Sequence, residues 1–191
     1  MTLTQRFADA LAYASLVHRN QHRKGGEGVP YIGHLLGVAD LVLNAGGDED
    51  EAIAALLHDA AEDQGGEAEL ESISLRFGPR VAAIVRGCSD SLKKNKDPWK
   101  PRKERYHQHL AACDDRSILL VSAADKLNNA RATRMDLRTL GPQVWTRFST
   151  PKPGQIWNYR ELVRIYKTKN DPRLAAIVDE LERTVNDLES M

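Results

Sequence analysis

Apolar residues recur along this chain in steps of three and four between glycine and proline breaks, and that spacing limits it to packed helices. Phe7, Ala10, Leu11, Ala14 and Val17 share one stripe of a helix expected from Gln5 to Arg19. Lys24 to Pro30 reads as a loop, and Leu35, Leu36, Val38, Ala39, Val42 and Leu43 mark a second helix that stops at Gly46-Gly47. Asp48 can cap the next one, with Glu51 in capping-box position, and its body should run from Ala52 to about Asp63 before Gly65-Gly66 ends it. Short helices follow at Glu67 to Phe77 and around Val81, Ile84 and Val85, separated by Gly78-Pro79. Asp90 to Pro101, rich in proline and lysine, is expected to be a mobile loop, after which Lys103 to Cys113 resumes helical spacing.

Ile118 to Val121 could pass for a buried strand, but the pattern continues through Ala123, Leu127, Ala130 and Met135, which predicts one long helix. A loop at Thr150 to Gly154, a helix around Ile156 to Tyr166, and a last helix opened by Asp171-Pro172 complete the reading. No hairpin signal or internal repeat interrupts it. The expected fold class is an all-α bundle of about eight to ten helices, and 191 residues suit a single domain, 1–191.

Lysine and arginine together number 27, as do aspartate and glutamate, so the formal charge is zero and no global field draws the chain to nucleic acid or anionic lipid. The apolar run Ala52 to Leu57 is far short of the ~20 residues that span a bilayer. The start of the chain lacks a basic segment followed by an apolar one, so no secretory signal is expected. Cys88 and Cys113 stand alone, without C-x-x-C spacing, and read as buried free thiols in a reducing cytoplasm.

The chemistry concentrates in His58-Asp59-Ala60-Ala61-Glu62-Asp63, late in a helix otherwise made of Ala, Ile and Leu. On a continuous helix, His58 with Glu62 and Asp59 with Asp63 lie on adjoining faces and can flank one ion, which would offset the repulsion among three carboxylates. The plainer reading is a solvated helix end. His34, after Pro30-Tyr31-Ile32-Gly33, and Asp125, inside the apolar stretch Leu119 to Leu127, extend the set. His34 can equally be a satisfied histidine, and Asp125 can equally bond Asn128 or Asn129. Two imidazoles and two carboxylates suit manganese, iron or zinc better than calcium.

Between Lys93 and Arg105 seven basic residues face two acidic ones, a local charge of +5 that can attract a polyphosphate, with Trp99 as a base-stacking candidate. The plainer reading is a solvated face. His107 and His109, two apart on a helix, point in different directions and read as surface residues.

In order, His34, His58-Asp59 and Asp125 resemble the H…HD…D pattern of the HD-domain metal-dependent phosphohydrolases. Arg23-Lys24, Pro30-Tyr31-Ile32, Ala54-Ala55-Leu56-Leu57-His58-Asp59, Glu62-Asp63, Phe77-Gly78 and Ala124-Asp125-Lys126-Leu127-Asn128-Asn129-Ala130-Arg131 are similar to the hydrolase domain of RelA/SpoT enzymes, most of all the small stand-alone alarmone hydrolases of the metazoan SpoT-homologue type. The resemblance covers roughly residues 5–135, leaving 136–191 as further helices of the same domain.

It implies a cytoplasmic enzyme holding one Mn²⁺ and removing the 3′-pyrophosphate of ppGpp or pppGpp to give GDP or GTP. By position, His34, His58, Asp59 and Asp125 would be metal ligands, Glu62 and Asp63 would handle the attacking water, and Arg23, Lys24, Asn129 and Arg131 would contact the nucleotide. Nucleic acid, a membrane and a synthetase activity are not expected. Rival readings are an HD phosphohydrolase of another phosphorylated metabolite, such as a nucleoside monophosphate or NADPH, and an inactive nucleotide-binding module. The chain departs from the pattern at Asn128, where many relatives carry histidine, at Gln64, where threonine is usual, and at Cys88-Ser89-Asp90. The role of Trp157-Asn158-Tyr159-Arg160 is left open.

Overall fold

The computed structural model describes residues 2–25 and 28–191, so the middle of the glycine-rich loop expected at 24–30 lies outside the described residues. Among them are nine α-helices and no β-strand, as the apolar spacing predicts. The helices are α1 (Gln5–Val17), α2 (Ile32–Asn44), α3 (Glu49–Leu57), α4 (Gly66–Phe77), α5 (Pro79–Cys88), α6 (Trp99–Ala112), α7 (Arg116–Leu140), α8 (Lys152–Lys167) and α9 (Pro172–Ser190). A π-helical turn, Ala61–Gly65, joins α3 to α4, and a 3₁₀ turn, Pro142–Arg147, joins α7 to α8. None of the described helices is long and apolar enough to cross a membrane.

Side chains that satisfy free backbone N–H groups open several of these helices. Asp48 accepts from Glu51 N–H at 3.0 Å while the Glu51 carboxylate accepts from Asp48 N–H at 2.7 Å, the reciprocal cap expected at α3. Asp115 caps α7 by accepting from Ser117 and Ile118 N–H, and Asp171 caps α9 by accepting from Arg173 N–H, both one-way. Helices α6 and α8 begin earlier than expected, at Trp99 and Lys152. Pro101 and Pro153 sit in their first turns, where an N–H would have no partner inside the helix, so these prolines begin helices rather than interrupt them.

Two segments form the centre of the core. Glu51 to Leu57 on α3 and Ser117 to Asp125 on α7 are buried on every face, so each is wrapped by neighbours. Helices α2, α3 and α5 pack on α7, which also carries α9 along its length. Arg173 at the start of α9 reaches both Glu51 oxygens, at 2.9 and 3.0 Å, and ties the last helix to the start of α3. Ser122 of α7 bonds the hydroxyls of Tyr106 and Tyr166 at 2.8 and 2.7 Å, which satisfies three polar groups in the interior.

Both cysteines are free and half-buried. His107 departs from the surface position expected of it. It is buried against Trp157, with Nε2 bonded to Asn158 Oδ1 at 2.9 Å, because α8 packs on the face of α6 that carries it. His109 stays exposed.

Candidate active site

Helix α3 ends at Leu57, six residues before the expected stop, and the chain turns through His58 and Asp59 into the π-helical turn. The α-type bond from Asp63 N–H to Asp59 O, 2.9 Å, persists into this wider coil, and Asp59, Glu62 and Asp63 all line one cavity, whereas His58 lies buried behind it. His58 and Asp59 turn inward to meet His34 from α2 and Asp125 from α7. Glu62 faces the loop after α5, and Asp63 faces Gln21.

The four inward residues form a compact set. His34 Nε2 lies 3.5 Å from Asp59 Oδ2 and 3.2 Å from Asp125 Oδ1, and His58 Nε2 lies 3.0 and 3.6 Å from the same two atoms. Both rings are almost fully buried and are held by their other nitrogen. His58 Nδ1 donates to Ala55 O at 2.8 Å, and His34 Nδ1 donates to Asn128 Oδ1 at 2.8 Å. Each bond ends on a carbonyl oxygen, which only accepts, so in the neutral rings both Nε2 atoms present lone pairs. Neither Nε2 has a hydrogen-bond partner.

Two buried lone pairs aimed at two carboxylates need a cation between them. Ligands about 2.1 Å from a shared ion stand roughly 3.0 to 3.5 Å from one another, close to the spacings found here. Without such an ion, protons must serve. Burial opposes charge on both rings, yet the carboxylates of Asp125 and Asp59 hold His34 above the usual imidazole range and His58 well above it. The same pairings, with Lys126 beside Asp125, hold both carboxylates well below theirs despite burial. The donor set therefore fits a divalent metal, and nitrogen with carboxylate oxygen fits a transition ion. The Asp59 carboxylate also accepts from the Tyr31 hydroxyl at 2.6 Å, and burial pushes that phenol up so that it remains a donor.

A cavity of about 810 Å³ opens beside this centre. Six of its cations, Arg23, Lys24, Lys96, Arg102, Lys103 and Arg147, come from three separate parts of the chain. Arg23 donates to Asn129 Oδ1 at 3.1 Å, and Asn129 donates in turn to Asp125, which links the outer wall to the centre. Arg131 does not join them. Two residues beyond Asn129 on α7 it points the opposite way, and its guanidinium bonds Glu180 of α9 at 2.7 Å, so the nucleotide contact expected of it is corrected to a helix–helix ion pair.

Glu62 accepts from Asp90 N–H at 3.0 Å and from Lys96 Nζ at 2.8 Å. Burial and the nearby Asp90 charge outweigh Lys96 and push its carboxyl up to about 7. Asp90 itself is held below the usual carboxylate range, because Lys103 and Arg102 outweigh its burial.

The sequence reading did not assign roles to Tyr31, Gln21, Asp90 or Lys126, all of which line this cavity. It also left α8 open, although Gln155, Asn158 and Tyr159 follow the three- and four-residue spacing of one helical face and form a wall. Gly37 of α2 was missed as well. A Cβ there would stand 2.3 Å from Asn128 Nδ2, so the close approach that lets Asn128 reach His34 requires glycine.

Comparison with known proteins agrees with this geometry. Residues 10–154 match the HD domain family. Over 140 residues the chain is 38% identical to guanosine-3′,5′-bis(diphosphate) 3′-pyrophosphohydrolase MESH1 of Xenopus tropicalis, covering 72% of this chain and 73% of that protein. The Homo sapiens protein of the same name is 35% identical over 140 residues, with 72% and 73% covered. Among solved structures, one described as a metazoan orthologue of SpoT that hydrolyzes ppGpp superposes with a TM-score of 0.77 at 28% identity, covering 96% of this chain and 97% of that one. The chain belongs to the HD-domain family, on the branch that includes the MESH1 proteins.

Proposed function

We propose that this protein is a guanosine-3′,5′-bis(diphosphate) 3′-pyrophosphohydrolase that converts ppGpp or pppGpp to GDP or GTP and pyrophosphate, working as one domain in the cytoplasm with Mn²⁺. The observation that carries the reading is the buried pair of unpartnered imidazole nitrogens facing two carboxylates at the edge of a cation-lined cavity. The relatives' names supply the substrate.

In this reading His34, His58, Asp59 and Asp125 hold the metal. Bound there, it supplies Lewis acidity toward the phosphoryl oxygens. Glu62, poised at about 7, takes a proton from the attacking water, and Asp63 orients that water. The water oxygen bonds to the phosphorus attached to the 3′ oxygen. The bond between that phosphorus and the 3′ oxygen breaks, and the sugar oxygen leaves with a proton returned from the Glu62 carboxyl. Arg23, Lys24 and Asn129 hold the nucleoside side, while Lys96, Arg102 and Lys103 offset phosphate charge.

Purified protein given ppGpp and Mn²⁺ is expected to release pyrophosphate, and chelator should stop it. Orthophosphate release from a nucleoside monophosphate or NADPH, with ppGpp untouched, would reassign the substrate. Tight nucleotide binding with no turnover under any metal would instead favour a binding module.

A further inference from the structure

Asp63 is held from behind. Its Oδ2 accepts from Gln21 Nε2 at 2.8 Å, while Oδ1 faces Lys96 Nζ at 3.7 Å. An ionised carboxylate has no proton to give, so the amide nitrogen of Gln21 must face Asp63 and its oxygen must face away. There Gln21 Oε1 accepts from Gln64 Nε2 at 2.6 Å and from His18 Nδ1 at 2.7 Å. The His18 tautomer follows, with the proton on Nδ1.

His18 is 3% exposed and stacks on Tyr31, ring centroids 5.3 Å apart at 27°. Its Nε2 is buried without a partner, so among the described residues the bond to Gln21 is the ring's one polar attachment. The backbone of Gln21 is pinned as well: its N–H donates to His18 O at 2.9 Å and its carbonyl accepts from Tyr31 N–H at 3.0 Å. A buried ring and a fixed backbone thus leave the Gln21 amide one orientation, and that orientation occupies one oxygen of Asp63.

We propose that Gln21, backed by His18, is a positioning residue for Asp63: it fixes Oδ2 and keeps Oδ1 turned toward the cavity where water attacks the phosphorus. The proposal rests on the phosphohydrolase reading above for Asp63's task. It also places the hold on Asp63 two residues before Arg23, at the base of the segment that carries the expected nucleotide contacts.

The test compares Gln21→Leu, Asp63→Asn and the double variant on ppGpp with Mn²⁺, with metal content measured in each. Gln21→Leu is expected to lower kcat about tenfold, the value of one hydrogen bond, with KM within about twofold. The double variant should be no slower than Asp63→Asn alone, because Gln21 acts only through that carboxylate. Losses that multiply in the double variant, or full kcat in Gln21→Leu, would overturn the proposal.

A second measurement needs no substrate. In ¹⁵N-labelled protein the Gln21 side-chain amide resonances, assigned by their loss in Gln21→Leu, should move in Asp63→Asn and in His18→Phe. An amide indifferent to Asp63→Asn defeats the positioning role whatever the activity. A wild-type protein that hydrolyses no phosphorylated nucleotide defeats the enzymatic reading instead, and the amide shift then still decides whether Gln21 holds Asp63.

Discussion

Substituting Gly37 by alanine should loosen the metal while leaving the fold nearly as stable as before. Alanine in mid-helix favours α2 by about 1 kcal/mol over glycine. Against this, the new methyl would lie 2.3 Å from Asn128 Nδ2, far inside contact distance, and the asparagine must swing away from His34 Nδ1. Leaving that buried donor unpaired costs about 1–3 kcal/mol, so the net change in metal-free stability is small and destabilising, roughly 0–2 kcal/mol. The ring loses the bond that fixes its tautomer and tilt, and loss of such a support weakens metal binding by about 10- to 100-fold. Mn²⁺ titration against a competing chelator measures this directly, with thermal unfolding of the metal-free protein as the control. Asn128→Ala should weaken binding to a similar degree, and adding Gly37→Ala to it should cost nothing more, because the colliding group is gone. Wild-type affinity in Gly37→Ala, or additive losses in the pair, would refute the argument that glycine is required so that Asn128 can hold His34.

His58→Ala and Asp125→Ala should each abolish metal binding, read as metal content after gel filtration in a low-metal buffer. Glu62→Gln should retain the metal and lose about 10²-fold or more in kcat, the range expected for a general base. A carboxyl poised at about 7 accepts protons only when ionised, so kcat should climb as pH rises through that value. Lys96 opposes the upward shift, so Lys96→Met should move the rising limb to higher pH; a limb that stays in place, in a profile of kcat against pH, would remove Glu62 from the role.

The fold was legible because the period of buried residues and the capping of helix ends dictate it. The stripe Phe7 to Val17, the reciprocal cap of Asp48 and Glu51 and the continuous pattern from Ile118 onward all report period and capping, which act within a few residues. The inward cluster of His34, His58, Asp59 and Asp125 was legible through the ordered H…HD…D resemblance, since on the residues alone His34 and Asp125 had plainer readings. What escaped depends on contacts distant in sequence. Local spacing could not show that α3 ends at Leu57 or that α9 claims Arg131, since both depend on partners elsewhere in the chain. Pro101 and Pro153 misled because the residue that breaks a helix interior is welcome in its first turn. His107 looked like a surface residue until α8 covered it.

The five-residue coil between α3 and α4 acts as a gear shift along the chain. Gly66, at φ +59° and with no room for a Cβ against Leu92 O, completes it through an N–H bond back to Ala61 O. Removing Ala61 would let ordinary winding resume, turning Glu62 and Asp63 by about 100°. Acidic side chains swung that far would leave His58 and Asp59 untouched yet face solvent or the interior. An insertion or deletion just ahead of Glu62 should therefore separate metal retention from turnover.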